Sequence, residues 1–309
     1  MKILGIGNAI VDVICKVDDS FISQNKLTKG LMKLIFDEEE FKKLLSNLKI
    51  EKTISGGSVA NSIVGLSQLG NNVGFIGKIS DDDFGVKYED GLKKENVNFC
   101  YSKKKEILPT GTCLILVTPD SERTMCTFLG TAGKINADDL DVKIIKESEI
   151  IFLEGYLWDE GDPKKAFEKA INHSKKIAMS LSDQFCVDRH KIHFLDLVKN
   201  KLDLIFANEG EITSLTGAKN FNEVISFSKE LKKHIIITRG DKGAVSIYKN
   251  NVVEIGVQKN LKIVDLTGAG DLFAAGYLHG YINQFSQKEC LEKGTELSSK
   301  IIQLFGARI

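Results

Sequence analysis

The sequence predicts a three-layer αβα protein, with a mainly parallel central sheet covered by helices on both faces and a small β-sheet lid. Three observations carry this. From about residue 148 onward, short apolar runs of strand length alternate with amphipathic stretches, the pattern of a parallel sheet buried on both sides. The first half instead mixes helical patterns with hairpin-like strands, which suits a smaller sheet inserted into the same unit. At 309 residues with three prolines, the chain can bury a large core, and no repeat, low-complexity tract or Pro-rich hinge divides it. A single domain over residues 1–309 is the expected organisation.

The opening MKILGIGNAIVDVI places Lys2 before an apolar run, as a signal peptide does. Asp12 interrupts that run and no small-residue cleavage site follows, so the segment reads as a first strand. Asn8 and Asp12 then stand near the end of that strand, where open α/β sheets bind ligands. DEEEFKKLLSNL (37–48), with its acidic start, and SVANSIVGLSQLG (58–70), closed by Gly70, have helical spacing. TGTCLILVTPD (110–120) and ERTMCTFLG (122–130) form a hairpin around a PDS turn. With isolated stretches near 11–18 and 97–102 they build the lid, from inserted segments at about 11–35 and 97–130. EIIFLEG (149–155), KKIAMSL (175–181), LDLIFAN (202–208) and HIIITRG (234–240) predict buried strands, and PKKAFEKAINHS a helix opened by Pro163.

Lysine plus arginine number 42, as do aspartate plus glutamate, so no positive field gathers nucleic acid or anionic membrane. A small-molecule partner is expected. No stretch approaches the roughly 20 apolar residues of a membrane span, and the protein is expected to be soluble and cytoplasmic. Six scattered cysteines without a CxxC pair read as reduced, packed thiols. His190 and His193 read as a solvated helix face rather than a metal site.

Two glycine motifs are near misses. GIGNAIVD starts a dinucleotide fingerprint but has Ile10 where the third glycine belongs. GNNVGFIGK (70–78) departs from a P-loop at Asn72 and at Ile79, and reads as a strand with turn glycines at its ends. SGGSVANS (55–62) has two readings. Gly56 and Gly57 let the backbone approach a ligand toward which Asn61 points its amide, or the segment is an ordinary helix start with Ser58 as cap.

DLTGAGD (265–271) is the most informative stretch. If a strand ends near Asp265 and a helix starts near Ala269, the N–H groups of Gly268, Ala269 and Gly270 converge at a positive helix end, a site for an anion. Asp271 would repel a resting phosphate there, so a plain anion cradle would not use it. It is well placed to accept a proton from a hydroxyl attacking phosphorus. NEGE (208–211) follows a predicted strand, so Asn208 and Glu211 are candidates to organise magnesium-bound water. TRGDKGA (238–244) puts Thr238, Arg239, Gly240 and Gly243 at the next strand end. Each of these two also reads as a helix cap or a turn.

Together these residues resemble the ribokinase-like, or PfkB, family of sugar and nucleoside kinases over essentially the whole chain. Its GG…N is matched by Gly56, Gly57 and Asn61, its NxxE by Asn208 to Glu211, its TxGxxG by Thr238, Gly240 and Gly243, and its DTxGAGD by DLTGAGD, with Leu266 where many members have Thr. The resemblance implies a ribokinase-like fold, Asp271 as catalytic base, Gly268 to Gly270 as anion hole, and Asn208 with Glu211 organising magnesium and phosphate. It also implies that Asp12 binds substrate hydroxyls beside Gly57 and Asn61, and that Asp265 and Thr267 contribute to a monovalent cation site such as potassium.

Within the family, GIGNAIVDVI, the 110–125 hairpin and EGYLWD look more like adenosine kinase and its bacterial relatives. That likeness implies Arg123 reaching the phosphates of ATP on lid closure, and a base slot drawn from Phe36, Cys113, Phe128 and Leu129. The expected reaction is transfer from MgATP to a primary hydroxyl of a ribose-containing substrate, adenosine first. The alternatives are a sugar kinase acting on ribose, fructose or a keto-sugar acid, and a non-catalytic nucleotide or sugar sensor. The protein is expected to be a monomer or a homodimer paired through its lids.

Overall fold

The computed structural model describes residues 1–159 and 163–309. Its strands are β1 (Ile3–Ile6), β2 (Ile10–Lys16), β3 (Met32–Ile35), β4 (Ile50–Gly56), β5 (Val73–Ile76), β6 (Asn98–Phe99) and β7 (Gly111–Val117). They continue as β8 (Arg123–Phe128), β9 (Ile150–Glu154), β10 (Ile177–Ser180), β11 (Leu204–Asn208), β12 (His234–Thr238), β13 (Ala244–Tyr248) and β14 (Asn251–Ile255). The helices are α1 (Asp19–Gln24), α2 (Glu38–Ser46), α3 (Ser58–Gln68), α4 (Asp83–Lys94), α5 (Val142–Glu147) and α6 (Pro163–His173). After these come α7 (Gln184–Asn200), α8 (Glu209–Thr216), α9 (Phe221–Leu231), α10 (Ala269–Ile282) and α11 (Gln287–Ile301).

A nine-stranded sheet runs β14-β13-β12-β11-β10-β9-β1-β5-β6, parallel throughout except for β13 and β14. Side chains of a strand alternate between its faces, and here the alternation divides one sheet between two cores. Ile3, Phe152 and Ile236 join α3, α10 and α11 on one side, while Leu4, Ile151, Leu153, Ile235 and Ile237 meet α6 to α9 on the other. The three layers follow directly. All four strands expected after residue 148 are present, as are the helices at 37–48, 58–70 and 163–173 and the 110–130 hairpin.

A second sheet of five strands runs β3-β8-β7-β2-β4. Its make-up departs from expectation in three places. The opening apolar run is two strands: β1 lies in the large sheet, and after Gly7–Ala9 the chain enters β2 of the small one, so Asp12 sits within the small sheet. The stretch near 97–102 belongs to the large sheet, because β6 pairs with β5 and Phe99 packs edge-on to Tyr88 and Tyr101, closing that core. The small sheet gains β4 instead, a polar edge strand exposed along its first half. A fourth departure concerns Lys262, Ile263 and Val264, which form no strand. The main-chain N–H groups of Val264 and Asp265 both donate to the Ile302 carbonyl, and the apolar side chains of Ile263 and Val264 stay exposed.

α10 is apolar all round because it is wrapped: Leu272 through Leu278 are buried between α3, α11 and the sheet. Small residues allow the close approach. A side chain at Gly276 would run into the Lys293 carbonyl, and one at Gly65 would reach Leu272 and Ala275 of α10. Among the described residues, no helix is long and apolar enough to cross a membrane. Gly276→Ala is expected to force α10 from α11 and to lower unfolding stability by about 1–3 kcal/mol, read as an earlier midpoint in urea denaturation.

Candidate active site

The site forms where α3 and α10 begin. Gly57 has φ 100°, and a Cβ there would collide with the Asn8 carbonyl, so this tight entry to α3 requires glycine. Beyond it, Ser58 Oγ donates to Asp271 Oδ1 at 2.6 Å and Asn61 Nδ2 donates to Oδ2 at 2.9 Å. Ser62 Oγ bonds the Asp271 carbonyl at 2.9 Å, fixing the backbone that carries the acid. Burial raises the Asp271 pKa, while the Ser58 and Asn61 bonds and the Arg308 charge pull it down.

Glu154, at the end of β9, anchors the other side. Oε1 accepts from Asn8 N at 3.3 Å and Asn8 Nδ2 at 2.9 Å, and Oε2 accepts from Val59 N at 3.0 Å. Its carboxyl is thereby tied to the first turn of α3 and to the link between the two sheets. Burial pushes it up to about 7 against those three N–H donors.

In the 265–271 turn, Thr267 N and Oγ1 donate to Asp265 Oδ1 at 3.0 and 2.7 Å. Asp265 Oδ2 accepts from Gly306 N at 2.9 Å and forms an ion pair with Arg123 Nη1 at 2.5 Å. Burial works against ionisation of Asp265, but these donors and the Arg123 charge hold it below the usual carboxylate range. Three hydrogen bonds and one ion pair thus converge on the Asp265 carboxylate. Gly268, φ 79°, caps α10 without a side chain and lies against Ala307. The Ala269 N–H turns back to the Leu266 carbonyl at 3.2 Å, whereas Gly270 borders open space. The anion-binding end is therefore narrower than three free amides.

Arg123, on β8 of the small sheet, reaches across to this turn. Beside its Asp265 pair, its guanidinium stacks 3.6 Å from the Phe305 ring centroid, and Nη2 is buried without a partner. Asp12 lies on the same face of the small sheet, with room made for it by the absent side chain of Gly56. Burial pushes Asp12 up to about 7; the charges of Arg308 and Arg123 pull it down, and Asp271 pushes it up. Beside Asp12 on that face, Ile10, Cys113, Ile115 and Ala132 form an apolar cluster of their own, packed by Ile14 and Leu129. Cys113 and Leu129 are thus on this apolar surface. Phe128 is not, since it stacks on Phe41 at 5.2 Å in the core, and Phe36 is 76 % exposed.

Asn208 and Glu211 form a reciprocal cap at the start of α8: Asn208 Oδ1 accepts from Glu211 N at 2.8 Å, and Glu211 accepts from Asn208 N and Nδ2 at 3.0 and 2.6 Å. Burial, with the Asp183 charge nearby, pushes Glu211 up to about 7. No cluster of three acids, histidines or cysteines stands ready for a metal among the described residues. The pair nevertheless fits magnesium that keeps its waters and is held mainly by phosphates. At 238–243 the chain makes a 3-10 turn into the antiparallel β13, in which Gly240 and Gly243 have φ 59° and 89°. Arg239 is held there by Glu209, Nε to Oε2 3.1 Å, and by the Phe221 ring.

The pattern of the pfkB family carbohydrate kinases matches residues 27–309. The chain belongs to the PfkB family. The kinase has the ribokinase-like fold and is a phosphotransferase. It is 34 % identical to the adenosine kinase of Sinorhizobium meliloti, with a TM-score of 0.90 over 100 % of this chain and 95 % of that one. A probable sugar kinase from Rhizobium etli is 33 % identical, with a TM-score of 0.88 over 99 % and 94 % of the two chains. The 5-dehydro-2-deoxygluconokinase of Clostridium perfringens is 25 % identical over 88 % of this chain and 85 % of its own.

Ser58, Glu154 and Arg308 were not singled out as site residues from the sequence. Glu154 carried a usable signal, a carboxylate closing an apolar strand; Arg308 carried none. The raised pKa of Glu154 has a measurable consequence. Between its unfolded value near 4.3 and its folded value of about 7, the native state holds a proton that the unfolded chain releases, so this group's contribution to stability falls as pH rises. Relative to Glu154→Gln, which does not titrate, the unaltered kinase is expected to lose roughly 2–4 kcal/mol between pH 5 and pH 8. Urea denaturation of both proteins at the two pH values measures this.

Proposed function

We propose that the kinase transfers the γ-phosphoryl group of MgATP to a primary hydroxyl of a ribose-containing acceptor, and that adenosine is that acceptor. One observation carries the reading. Among the described residues, six buried side-chain polar atoms lack a partner, and four of them belong to this site: Asn8 Oδ1, Asn61 Oδ1, Arg123 Nη2 and Arg308 Nε. Buried polar atoms are rarely left unsatisfied, so a cluster of acceptors and guanidinium donors is a site built for hydroxyls and anionic oxygens. The apolar wall of Ile10, Cys113 and Ile115 beside Asp12 supplies the flat, dry surface that a base needs and a free sugar would leave unused.

In this reading Asp12 accepts hydrogen bonds from the acceptor's hydroxyls and turns its primary hydroxyl toward Asp271. Asp271, oriented by Ser58 and Asn61, takes the proton as the hydroxyl oxygen attacks phosphorus in line. The start of α10 at Gly268 to Gly270 and the free Nη2 of Arg123 balance the charge spreading over the transferring oxygens. Thr238, Gly240 and Gly243 border the nucleotide. Asn208 and Glu211 would hold magnesium through its waters, and the metal would supply neutralisation of phosphate charge. Arg123 and Asp12 both come from the small sheet, so its seating on the 265–271 turn closes the site to water.

A sugar acceptor is the second reading, favoured by the sugar-kinase relatives. ADP release by the purified protein with MgATP, tested against adenosine, other nucleosides, ribose and fructose, separates the two. Turnover with adenosine and none with the free sugars is expected; the reverse would overturn the acceptor and keep the chemistry. Asp271→Asn is expected to lower kcat by about 10³-fold or more with ATP affinity within about twofold, and near-normal turnover would remove Asp271 from the role of base.

A further inference from the structure

Residues 302–309 run as a strap from the signature turn to the small sheet. The Ile302 carbonyl receives the N–H groups of Val264 and Asp265 at 2.8 and 3.2 Å, and Gly306 N donates to Asp265. Phe305 lies under the Arg123 guanidinium, and Ala307 packs into the space left by the missing side chain of Gly268. Arg308 then crosses to β4, where Nη2 donates to the Ser55 carbonyl, and Gln68 Nε2 of α3 holds the Ile309 carbonyl at 3.1 Å. A short segment thus touches the turn, α3 and the small sheet in succession.

We infer that Arg308 is a positioning residue for the acceptor site, latching β4 to the 265–271 turn and placing its positive charge beside Asp12 and Asp271. The inference rests on the reading of Asp12 as the carboxylate that receives the acceptor's hydroxyls. The Asp271 charge disfavours ionisation of Asp12, and a cation beside Asp12 relieves the conflict. Two cations act on Asp12, and Arg123 is committed to Asp265. Among the described residues Arg308 has no ion-pair partner of its own, and its Nε is one of the unpartnered buried atoms.

The groups acting on Asp12 are Arg308, Arg123 and Asp271, and Asp12 in turn acts on the Cys113 thiol and the Tyr88 hydroxyl. Arg308 is acted on by Tyr88, Asp12, Glu95 and Asp271. Lys52, Lys87 and Lys94 line the cleft of about 370 Å³ that Arg308 also borders, yet none of them figures among the charges acting on Asp12. A guanidinium suits the task because it stays charged when buried and its planar fork can hold a carbonyl while facing a carboxylate. Of the charges acting on Asp12, that of Arg308 is the strongest pull toward ionisation.

The test compares the unaltered kinase with Arg308→Gln, Arg308→Lys and Asp12→Asn, using adenosine as the varied substrate from pH 5.5 to 9. Loss of the charge is expected to raise the adenosine KM about tenfold at pH 7, and to move the acid limb of kcat/KM upward by about one pH unit, with the KM for ATP within about twofold. Arg308→Lys restores a charge without the planar fork and is expected to recover part of the shift in the acid limb, which a defect confined to packing would not. An unchanged profile in Arg308→Gln overturns the charge role. If Asp12→Asn leaves the adenosine KM unaltered, the reading of Asp12 falls, and the inference with it.

Hydrogen exchange without substrate tests the latch independently of the acceptor. Amides of residues 50–56 are expected to exchange about tenfold faster in Arg308→Gln while β9 to β12 keep their protection. If the unaltered kinase does not turn over adenosine, the functional reading alone has failed, and this exchange measurement still decides the latch. Equal exchange in both proteins overturns it.

Discussion

The crossing of α3 and α10 is the constraint on which the site depends. Both helices present their N-terminal ends to the same small volume, and each end carries a partial positive charge that favours an anion. One end is occupied by Glu154 through Val59 N, and the other carries Asp271 in its first turn. The two acids are buried close enough that Asp271 adds to the upward pressure on Glu154. Burying carboxylates is costly unless their oxygens are hydrogen-bonded, and here Ser58, Asn61, Asn8 and Val59 supply the donors. The geometry around Asp271 is therefore set by helix packing: Gly65 lets α3 and α10 come close, and α11 closes on the opposite side of α10 at Gly276.

Onto this frame the small sheet brings its own polar groups. Asp12 and Arg123 project from one of its faces, and Arg123 meets the signature turn through Asp265. Asp265 thus serves as the seat for the arginine and as the inner brace of the turn, with Thr267 and Gly306 completing its shell. A charge-assisted pair at 2.5 Å, backed by an aromatic ring, is a strong contact for two elements so far apart in sequence.

Much of this was legible in the residues themselves. The periodicity after residue 148 revealed the parallel sheet, because strands buried on both faces are apolar throughout and glycines or polar residues mark their ends. DLTGAGD placed a helix start near Ala269, where α10 begins. What misled was local likeness without tertiary context. Lys262 to Val264 have strand-like chemistry but find no edge to pair with, while β4, polar and half-exposed, does pair. The first strand could not be divided from sequence, since Gly7 is short enough to let the chain leave one sheet for the other, and only the fold shows Glu154 pressed against it. Ser58 looked like an ordinary cap. Its hydroxyl is instead directed at a carboxylate 213 positions away, a pairing that no local pattern announces.

The apolar face of the small sheet is a cluster distinct from both cores of the main sheet. Ile10, Cys113, Ile115 and Ala132 can change volume or polarity without opening a cavity in either of the layers that hold α10 in place. Substitutions on that surface therefore carry little penalty to the packing that holds α10. Such modularity separates the stability of the fold from the chemistry of that face.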